Sequence, residues 1–203
     1  MSGMAFENRR ERERAARRQL IVATARTLAE AEGWDAVTTR RLSTEIEYSQ
    51  PVLYKHFGGM EQIADAVAID GFAELAEVIR AARCDAAAAS DALSRIAQAY
   101  LNYARTNAAV YDAMFTRASA LRFAAQDAPP QLRAAFAELR QAVEGVAREQ
   151  DAEALTEVFW AALHGLVTLT RTGRLRPGYD SERLRLLVNQ FAGGSEGVAQ
   201  DRH

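Results

Sequence analysis

Between Thr38 and Gly59 the chain reads TTRRLSTEIEYSQPVLYKHFGG, and its polar side chains are mostly hydrogen-bond donors. A glutamine amide makes two hydrogen bonds to the edge of adenine, arginine spans O6 and N7 of guanine, and small apolar groups meet the thymine methyl. Gln50, Arg40 and either Pro51 or Val52 supply those chemistries here. Thr39, Ser49, Tyr54, Lys55 and His56 stand around them and suit phosphate oxygens, which fix position without reading sequence. Base-reading groups must lie near the start of a helix narrow enough for the major groove. Leu42 and Ile46 mark one short helix, with Thr38 or Thr39 as its N-cap. Pro51 falls in the first turn of the next, where a missing amide hydrogen is tolerated. Two short helices across a tight turn are a helix-turn-helix. Gln50 alone would be an ordinary solvated residue, and the pattern around it is what makes it a base contact. Phe57 reads as packing. Tyr54 reads both ways, ring inward and hydroxyl outward.

Catalysis has no comparable foothold. The histidines are His56, His164 and His203, and the single cysteine is Cys84. Neither H-x-x-x-H nor a cysteine pair is available for zinc, and no glycine-rich phosphate loop or G-x-S-x-G is found. Gly58-Gly59 before a helix is weak evidence for an anion site. No enzyme, metal or cofactor is therefore expected. The 203 residues are 49% hydrophobic and 26% charged, enough for a packed core. A net charge of −2 excludes a nonspecific nucleic-acid packager. Residues 1–60 nevertheless carry ten basic and eight acidic groups, so one end is suited to a polyanion. Arg9 to Arg18, mixed with Glu7, Glu11 and Glu13, reads either as part of that end or as a solvated helix start. Val158 to Leu169, interrupted by His164, is too short to cross a bilayer, and Met1 to Leu20 has no apolar leader core. A cytoplasmic protein with no membrane partner is expected.

The elements that must carry these residues are helical. Alanine, leucine, arginine and glutamate dominate, with four prolines. Ile21, Ala25 and Leu28 form a stripe that ends at Gly33, a C-cap. After Gly58-Gly59 a long helix places Ile63, Val67, Leu75 and Ile79 on one face. Ser90 or Asp91 caps a helix to about Thr106, Val110 to Arg117 is short, and Pro129-Pro130 opens one reaching about Glu149. Asp151 caps the next, whose stripe is Leu155, Phe159, Ala162, Leu166 and Leu169. Gly173 and Pro177-Gly178 end it, and Ser181 to Phe191 is the last. The expected domains are 1–60, 61–192 and a disordered tail over 193–203.

The segment GWDAVTTRRLSTEIEYSQPVLYKHF resembles the DNA-binding module of the TetR family of bacterial transcriptional regulators, from about Arg17 to Val67, with LYKHF its most specific part. The resemblance implies an all-α protein whose first three helices bind DNA and whose remainder binds a ligand and dimerises. It implies that Arg40, Gln50 and Pro51 read bases while Thr39, Tyr54 and His56 hold phosphates. Two residues depart from the family pattern. Glu47 stands where glycine is common, so it must turn left-handed, at about 1–2 kcal/mol, or force another turn. Met60 replaces a frequent lysine, leaving affinity to Lys55 and the N-terminal arginines.

Trp160, His164 and Gly165 resemble the W-x-x-x-H-G signature of one TetR subgroup. This implies a helix at the dimer interface near the effector cavity, with Gly165 admitting a close neighbour. His164 would bond a ligand or, equally, a backbone carbonyl. Tyr100, Tyr103, Tyr111, Met114, Phe115, Phe123 and Phe136, with Trp160 and His164, suit a pocket for an apolar or aromatic effector, and each also suits an ordinary core. Phe159, Leu163, Leu166, Leu184, Leu187, Val188 and Phe191 are expected to pair with their copies in a four-helix dimer interface. The function expected is a homodimeric repressor, released from a palindromic double-stranded DNA operator by a small-molecule effector. The alternatives are a regulator without a small-molecule effector, and a helical enzyme or sensor with a vestigial helix-turn-helix.

Overall fold

The computed structural model describes residues 2–117, 121 and 128–193, with residues 2–6 as backbone only. Its elements are α1 (Ser2–Glu32), a 3₁₀ turn (Trp34–Ala36), α2 (Thr39–Glu45), α3 (Gln50–His56), α4 (Met60–Cys84), α5 (Ala89–Thr106), α6 (Ala108–Asp112), a π-helical turn (Ala113–Arg117), α7 (Pro130–Ala147), α8 (Ala152–Arg171) and α9 (Asp180–Ala192). The fold is all-α, as expected. Phe123 and, beyond Gly193, the expected tail lie outside the described residues.

Local chemistry sets most boundaries. Gly33, at φ 84°, ends α1 as its C-cap, its amide donating to Ala29 O at 2.9 Å. Thr38 rather than Thr39 caps α2, accepting from the Arg41 amide at 3.1 Å. Asp151 caps α8 by accepting from the amides of Glu153 and Ala154 at 2.9 and 3.2 Å. Pro130 opens α7, and Arg148, at φ 51°, stops it short of the expected Glu149. Neither Ser90 nor Asp91 is the cap of α5. Asp91 lies within the first turn and reaches back, accepting from the Ala87 amide at 3.1 Å.

Contacts divide the chain into two compact units, Met1–Phe72 with Asn107–Pro129, and Ala73–Thr106 with Pro130–His203. The division falls inside α4, not after residue 60 as expected. The first unit holds the start of α4 because Ile63, Ala64, Val67 and Ala68 are buried in its core with Ile21, Ala25, Leu42 and Leu53. It holds residues 107–117 because α1 and the turn after it bind them. Arg26 donates to Asn107 Oδ1 at 2.9 Å, and the buried Trp34 indole donates to Ala109 O at 2.8 Å. Gly71 completes that packing, since a Cβ there would lie 2.5 Å from Val110 Cγ1. A side chain larger than hydrogen fits only if the Val110 or Met114 side chain shifts.

The second unit packs α5, α7, α8 and α9 around Leu93, Ile96, Tyr100, Leu139, Val143, Phe159 and Leu163. Arg83 and Glu138 pair across it at 2.7 Å with little exposure. The inward stripe of α8 is Thr156, Phe159, Leu163 and Val167. The expected stripe through Leu155, Ala162, Leu166 and Leu169 is displaced, and Leu169 is 38% exposed. Apolar residues surround this helix on most sides, so periodicity alone does not say which face is inside.

Candidate nucleic-acid interface

The turn between α2 and α3 has a specific hydrogen-bond pattern. Tyr48 N donates to Ser43 O at 3.0 Å and Glu47 N to Thr44 O at 3.3 Å, with Glu47 at φ 55°. These are the two bonds of a Schellman motif, with Glu47 at the left-handed position that favours glycine. Of the two ways for a glutamate to stand there, the chain takes the left-handed one. The turn keeps the shape a helix-turn-helix needs and bears the local strain.

From Ser49 the chain enters α3 with Pro51 in the first turn. Leu53 and Phe57 are each 2% exposed and pin the helix to the core. Gln50, Pro51, Tyr54 and Lys55 are exposed, and Val52 and His56 are half-buried. Tyr54, at 54% exposure, does not pack its ring inward, so of its two readings only the outward one is realised. Ser49 is the exposed N-cap residue, yet its hydroxyl makes no cap bond to the helix. Thr39 is half-buried at the start of α2. The adjacent arginines differ: Arg41 is tied to Glu32 at 3.1 Å and Glu45 at 2.9 Å, whereas the exposed Arg40 pairs with no carboxylate among the described residues. A guanidinium committed to two carboxylates is a poor base reader, so Arg40 is the one with its donors available.

At the far end of α3, Arg18 Nη1 donates to His56 O at 2.9 Å and its guanidinium sits 4.0 Å from the centre of the Phe57 ring. Partial burial holds the His56 pKa below its ordinary 6.5, aided by the positive charges of Arg14, Arg17, Arg18 and Lys55. Its buried Nδ1 has no hydrogen-bond partner. This ring is neutral near pH 7 and stands in a cationic corner suited to an anion. The role of Arg18 in building that corner escapes the motif; its only trace in the sequence is its place three residues before Ile21, on the stripe through Ala25 and Leu28.

Residues 21–67 match the model of bacterial regulatory proteins of the tetR family, and residues 93–190 match that of the tetracyclin repressor-like C-terminal domain. An uncharacterized HTH-type transcriptional regulator of Mycobacterium tuberculosis is 34% identical over 165 residues, 77% of this chain and 71% of that protein. This chain belongs to the TetR family. Two solved structures extend the likeness of fold to most of the chain. A Rhodococcus protein of unknown function superposes with a TM-score of 0.70 at 24% identity, over 87% of this chain and 94% of its own. RolR, solved in complex with its ligand resorcinol, superposes with a TM-score of 0.66 at 15% identity, over 91% of this chain and 89% of its own. The protein is a TetR-type transcriptional regulator with an N-terminal DNA-binding module, and no described helix is long and apolar enough to cross a membrane.

In this TetR protein the residues expected to line an effector pocket fall into two groups. In the second unit Tyr100 is 1% exposed and its hydroxyl accepts from Trp160 Nε1 at 3.2 Å. Tyr103 donates to Glu74 at 3.3 Å, and Phe136 is half-buried. His164 is half-buried, its Nε2 lies 3.5 Å from the Thr168 hydroxyl, and burial lowers its pKa. In the first unit Tyr111 and Met114 are buried, and the Phe115 ring centre lies 4.6 Å from that of Tyr111, tilted, and 5.4 Å from that of Phe72, edge to face. An open cleft of about 500 Å³ lies elsewhere, between the ends of α7, α8 and α9, lined by Arg148, Leu155, Gln190 and Phe191.

The expected dimer residues also need correction. Phe159, Leu163, Leu184 and Val188 are at most 7% exposed and form the core of the protomer itself, so they are not available to a second copy. Leu166, Leu187 and Phe191 are half-buried, and the Phe191 ring lies 5.0 Å from that of Phe159. The apolar groups α8 leaves outside are Ala154, Val158, Ala161 and Leu169, with Leu186 on α9. Among the described residues, a Cβ added at Gly165 would meet nothing within 4 Å, so no described helix crosses closely over that position.

Proposed function

We propose that this TetR regulator is a homodimeric repressor that binds a palindromic operator and is released by a small apolar or aromatic effector. The observation that carries the reading is the start of α3: Gln50 and Pro51 stand exposed while Leu53 and Phe57 fix the helix from behind. Arg40, Gln50, Pro51 and Val52 read bases, and Thr39, Ser49, Tyr54, Lys55 and His56 hold phosphates. Two copies related by a two-fold axis set their recognition helices about 34–36 Å apart, one turn of duplex.

Dimerisation joins α8 and α9 to their copies. The row of exposed Ala154, Val158, Ala161 and Leu169 with half-buried Gly165 supports this, because its small residues let helices approach while the larger ones remove apolar surface from water. In the second unit Tyr100, Tyr103, Trp160 and His164 bring aromatic rings with polar tips into one helical unit, side chains of the kind that line a site for a small aromatic ligand once it opens. RolR, which binds resorcinol, shares the fold. Ligand binding acts through α4, which contributes residues to both units, and a differential affinity of about 1–3 kcal/mol between two head spacings gives a useful response.

A second reading, control by something other than a small molecule, draws on the closed packing of Tyr100 against Trp160. Selection of bound sites from random duplex DNA, followed by a screen for compounds that release the protein, separates these readings. A recovered palindrome with release by a compound supports the first. A palindrome with no releasing compound supports the second, and no selected site defeats both.

A further inference from the structure

α1 is much longer than its packing requires. Its buried residues are Ile21, Val22, Ala25, Leu28 and Ala29, whereas every residue from Glu7 to Leu20 is exposed. Apart from Arg18, which contacts α3, a helical stretch so exposed gains little from packing, the main source of helix stability. Its register is nevertheless informative. Arg10, Arg14, Arg17 and Arg18 continue the inward stripe of Ile21, Ala25 and Leu28 toward the N-terminus, with Glu7 and Glu11 beside them. The face that packs against α2 and α3 in the second half of α1 is therefore rich in arginine in the first half.

These charges are not neutralised within the chain. Glu13 is drawn to Arg9 at 3.0 Å on another side of the helix, while Arg10, Arg14 and Arg17 pair with no carboxylate among the described residues. Nor do they stand apart from the DNA-reading helix. Arg18, at the end of the row, bonds His56 O at 2.9 Å and covers the Phe57 ring, which docks the row against the last turn of α3.

We propose that the arginine face of α1 preceding Ile21 is a second DNA-binding element, which lies across the phosphates flanking each half-site and grips them without reading sequence. A helix about 10–12 Å across does not enter a minor groove about 6 Å wide, so contact with the backbone outside the groove is what this shape allows. Between Glu7 and Leu20 the one exposed large apolar residue is Leu20, and that segment offers little to a lipid surface. Each arginine that neutralises a phosphate releases condensed counterions, which makes the contribution measurable as salt dependence. The inference rests on the operator-binding function proposed above.

The test compares the full-length wild-type chain with Arg10→Ala/Arg14→Ala/Arg17→Ala, leaving Arg18 in place because of its contacts to α3. Alanine keeps the helix, which circular dichroism verifies. The probes are a duplex recovered from random-sequence selection with about twelve base pairs on either side, and the same duplex trimmed to its half-sites. On the long duplex the triple variant is expected to bind at least tenfold more weakly at low salt. Its slope of log affinity against log salt should be shallower by about 2–3 per protomer, at about 0.9 for each phosphate no longer neutralised. On the trimmed duplex the triple variant should lose only the smaller share that Arg14 and Arg17 give the corner around His56, base preference should be unchanged, and the corresponding triple lysine variant should regain the slope. Equal slopes and equal affinities on the long duplex overturn the proposal. So does a loss of equal size on both duplexes, which would place these arginines inside the half-site. A wild-type chain that selects no duplex removes the operator-binding function itself, and is distinguished from those results by the wild-type control alone.

Discussion

The carboxylate of Glu30 on α1 accepts hydrogen bonds from the backbone amides of both Ala109 and Val110, at 3.1 and 3.0 Å, and so caps α6 from a distant part of the sequence. α6 spans only Ala108–Asp112, and its own N-cap residue, Asn107, makes no side-chain cap. A helix this short does not persist by propensity, so its place depends on Glu30 and on the Trp34 bond to Ala109 beside it. Glu30→Ala is expected to lower stability by about 1–2 kcal/mol, as loss of a cap does, and Glu30→Gln by less, because an amide oxygen still accepts. Urea midpoints of the two variants check this; a Glu30→Ala protein as stable as wild type would mean that α6 is held without the carboxylate.

The strain at Glu47 gives a prediction of opposite sign. A left-handed residue with a Cβ costs about 1–2 kcal/mol relative to the right-handed form, and glycine's extra freedom in the unfolded chain returns about 0.5–1 kcal/mol of that. Glu47→Gly should therefore stabilise the fold by about 0.5–1 kcal/mol. Because the Schellman bonds of Tyr48 and Glu47 are backbone bonds, the turn keeps its shape and base preference should not change. Thermal unfolding and binding to a selected duplex measure both.

Features that depend on neighbours in the chain were legible in the sequence. Gly33, Asp151, Pro51 and Pro130 act at the ends the sequence predicts, since a cap or a missing amide works within one turn. The helix-turn-helix was legible for the same reason. Features decided by distant packing were not. α8 carries apolar residues at positions 155, 158, 159, 163, 166, 167 and 169, and only the arrival of α5, α7 and α9 selects Phe159, Leu163 and Val167 as the inner ones. The capping of α6 by Glu30 joins residues about eighty positions apart and left no local trace. Tyr100 and Trp160 were legible as aromatic, but not as bonded to each other.

Arg40 and Arg41 are neighbours in sequence with different commitments. Arg40→Ala should cost about 1–3 kcal/mol of operator affinity and relax one base position. Arg41→Ala, which breaks ion pairs to Glu32 and Glu45 that are largely exposed, should change stability by less than about 1 kcal/mol and leave base preference alone. Binding measured across a set of single-base operator variants separates the two, and a uniform loss for Arg40→Ala would make it a phosphate contact instead.

His56, as a phosphate contact, should make binding sensitive to pH. In the free protein burial, with Arg14, Arg17 and Arg18 on α1 and Lys55 on α3, holds its pKa below 6.5. For folding, the sign follows from the unfolded chain taking up the proton first. The contribution of His56 is present above about 6.5 and is lost as pH falls toward the lowered folded value. For DNA the sign reverses, because a phosphate at this corner favours the imidazolium. Operator affinity should rise as pH falls from about 7.5 to 5.5, with a proton taken up on binding. His56→Gln should flatten that rise while leaving base preference intact. A pH profile unchanged by the substitution would place His56 away from the phosphates.

Gly165 offers the sharpest test of the proposed dimer, because beyond its own turns of helix no atom of the described residues lies within 4 Å of an added Cβ. A Cβ there has room among the described residues, so the main resistance to a larger side chain should come from a second copy seated on the row through Val158, Ala161 and Leu169. Gly165→Leu should leave helical content unchanged. Its effect on protomer stability should be slight and favourable, since leucine is the better helix former by about 0.5–1 kcal/mol. Association should weaken by at least tenfold, measured by sedimentation equilibrium, and binding to a palindrome should fall with it while binding to a single half-site is retained. Val158→Glu should act in the same direction, by placing a charge in the same contact. A Gly165→Leu protein that dimerises as wild type does would move the interface off this face of α8.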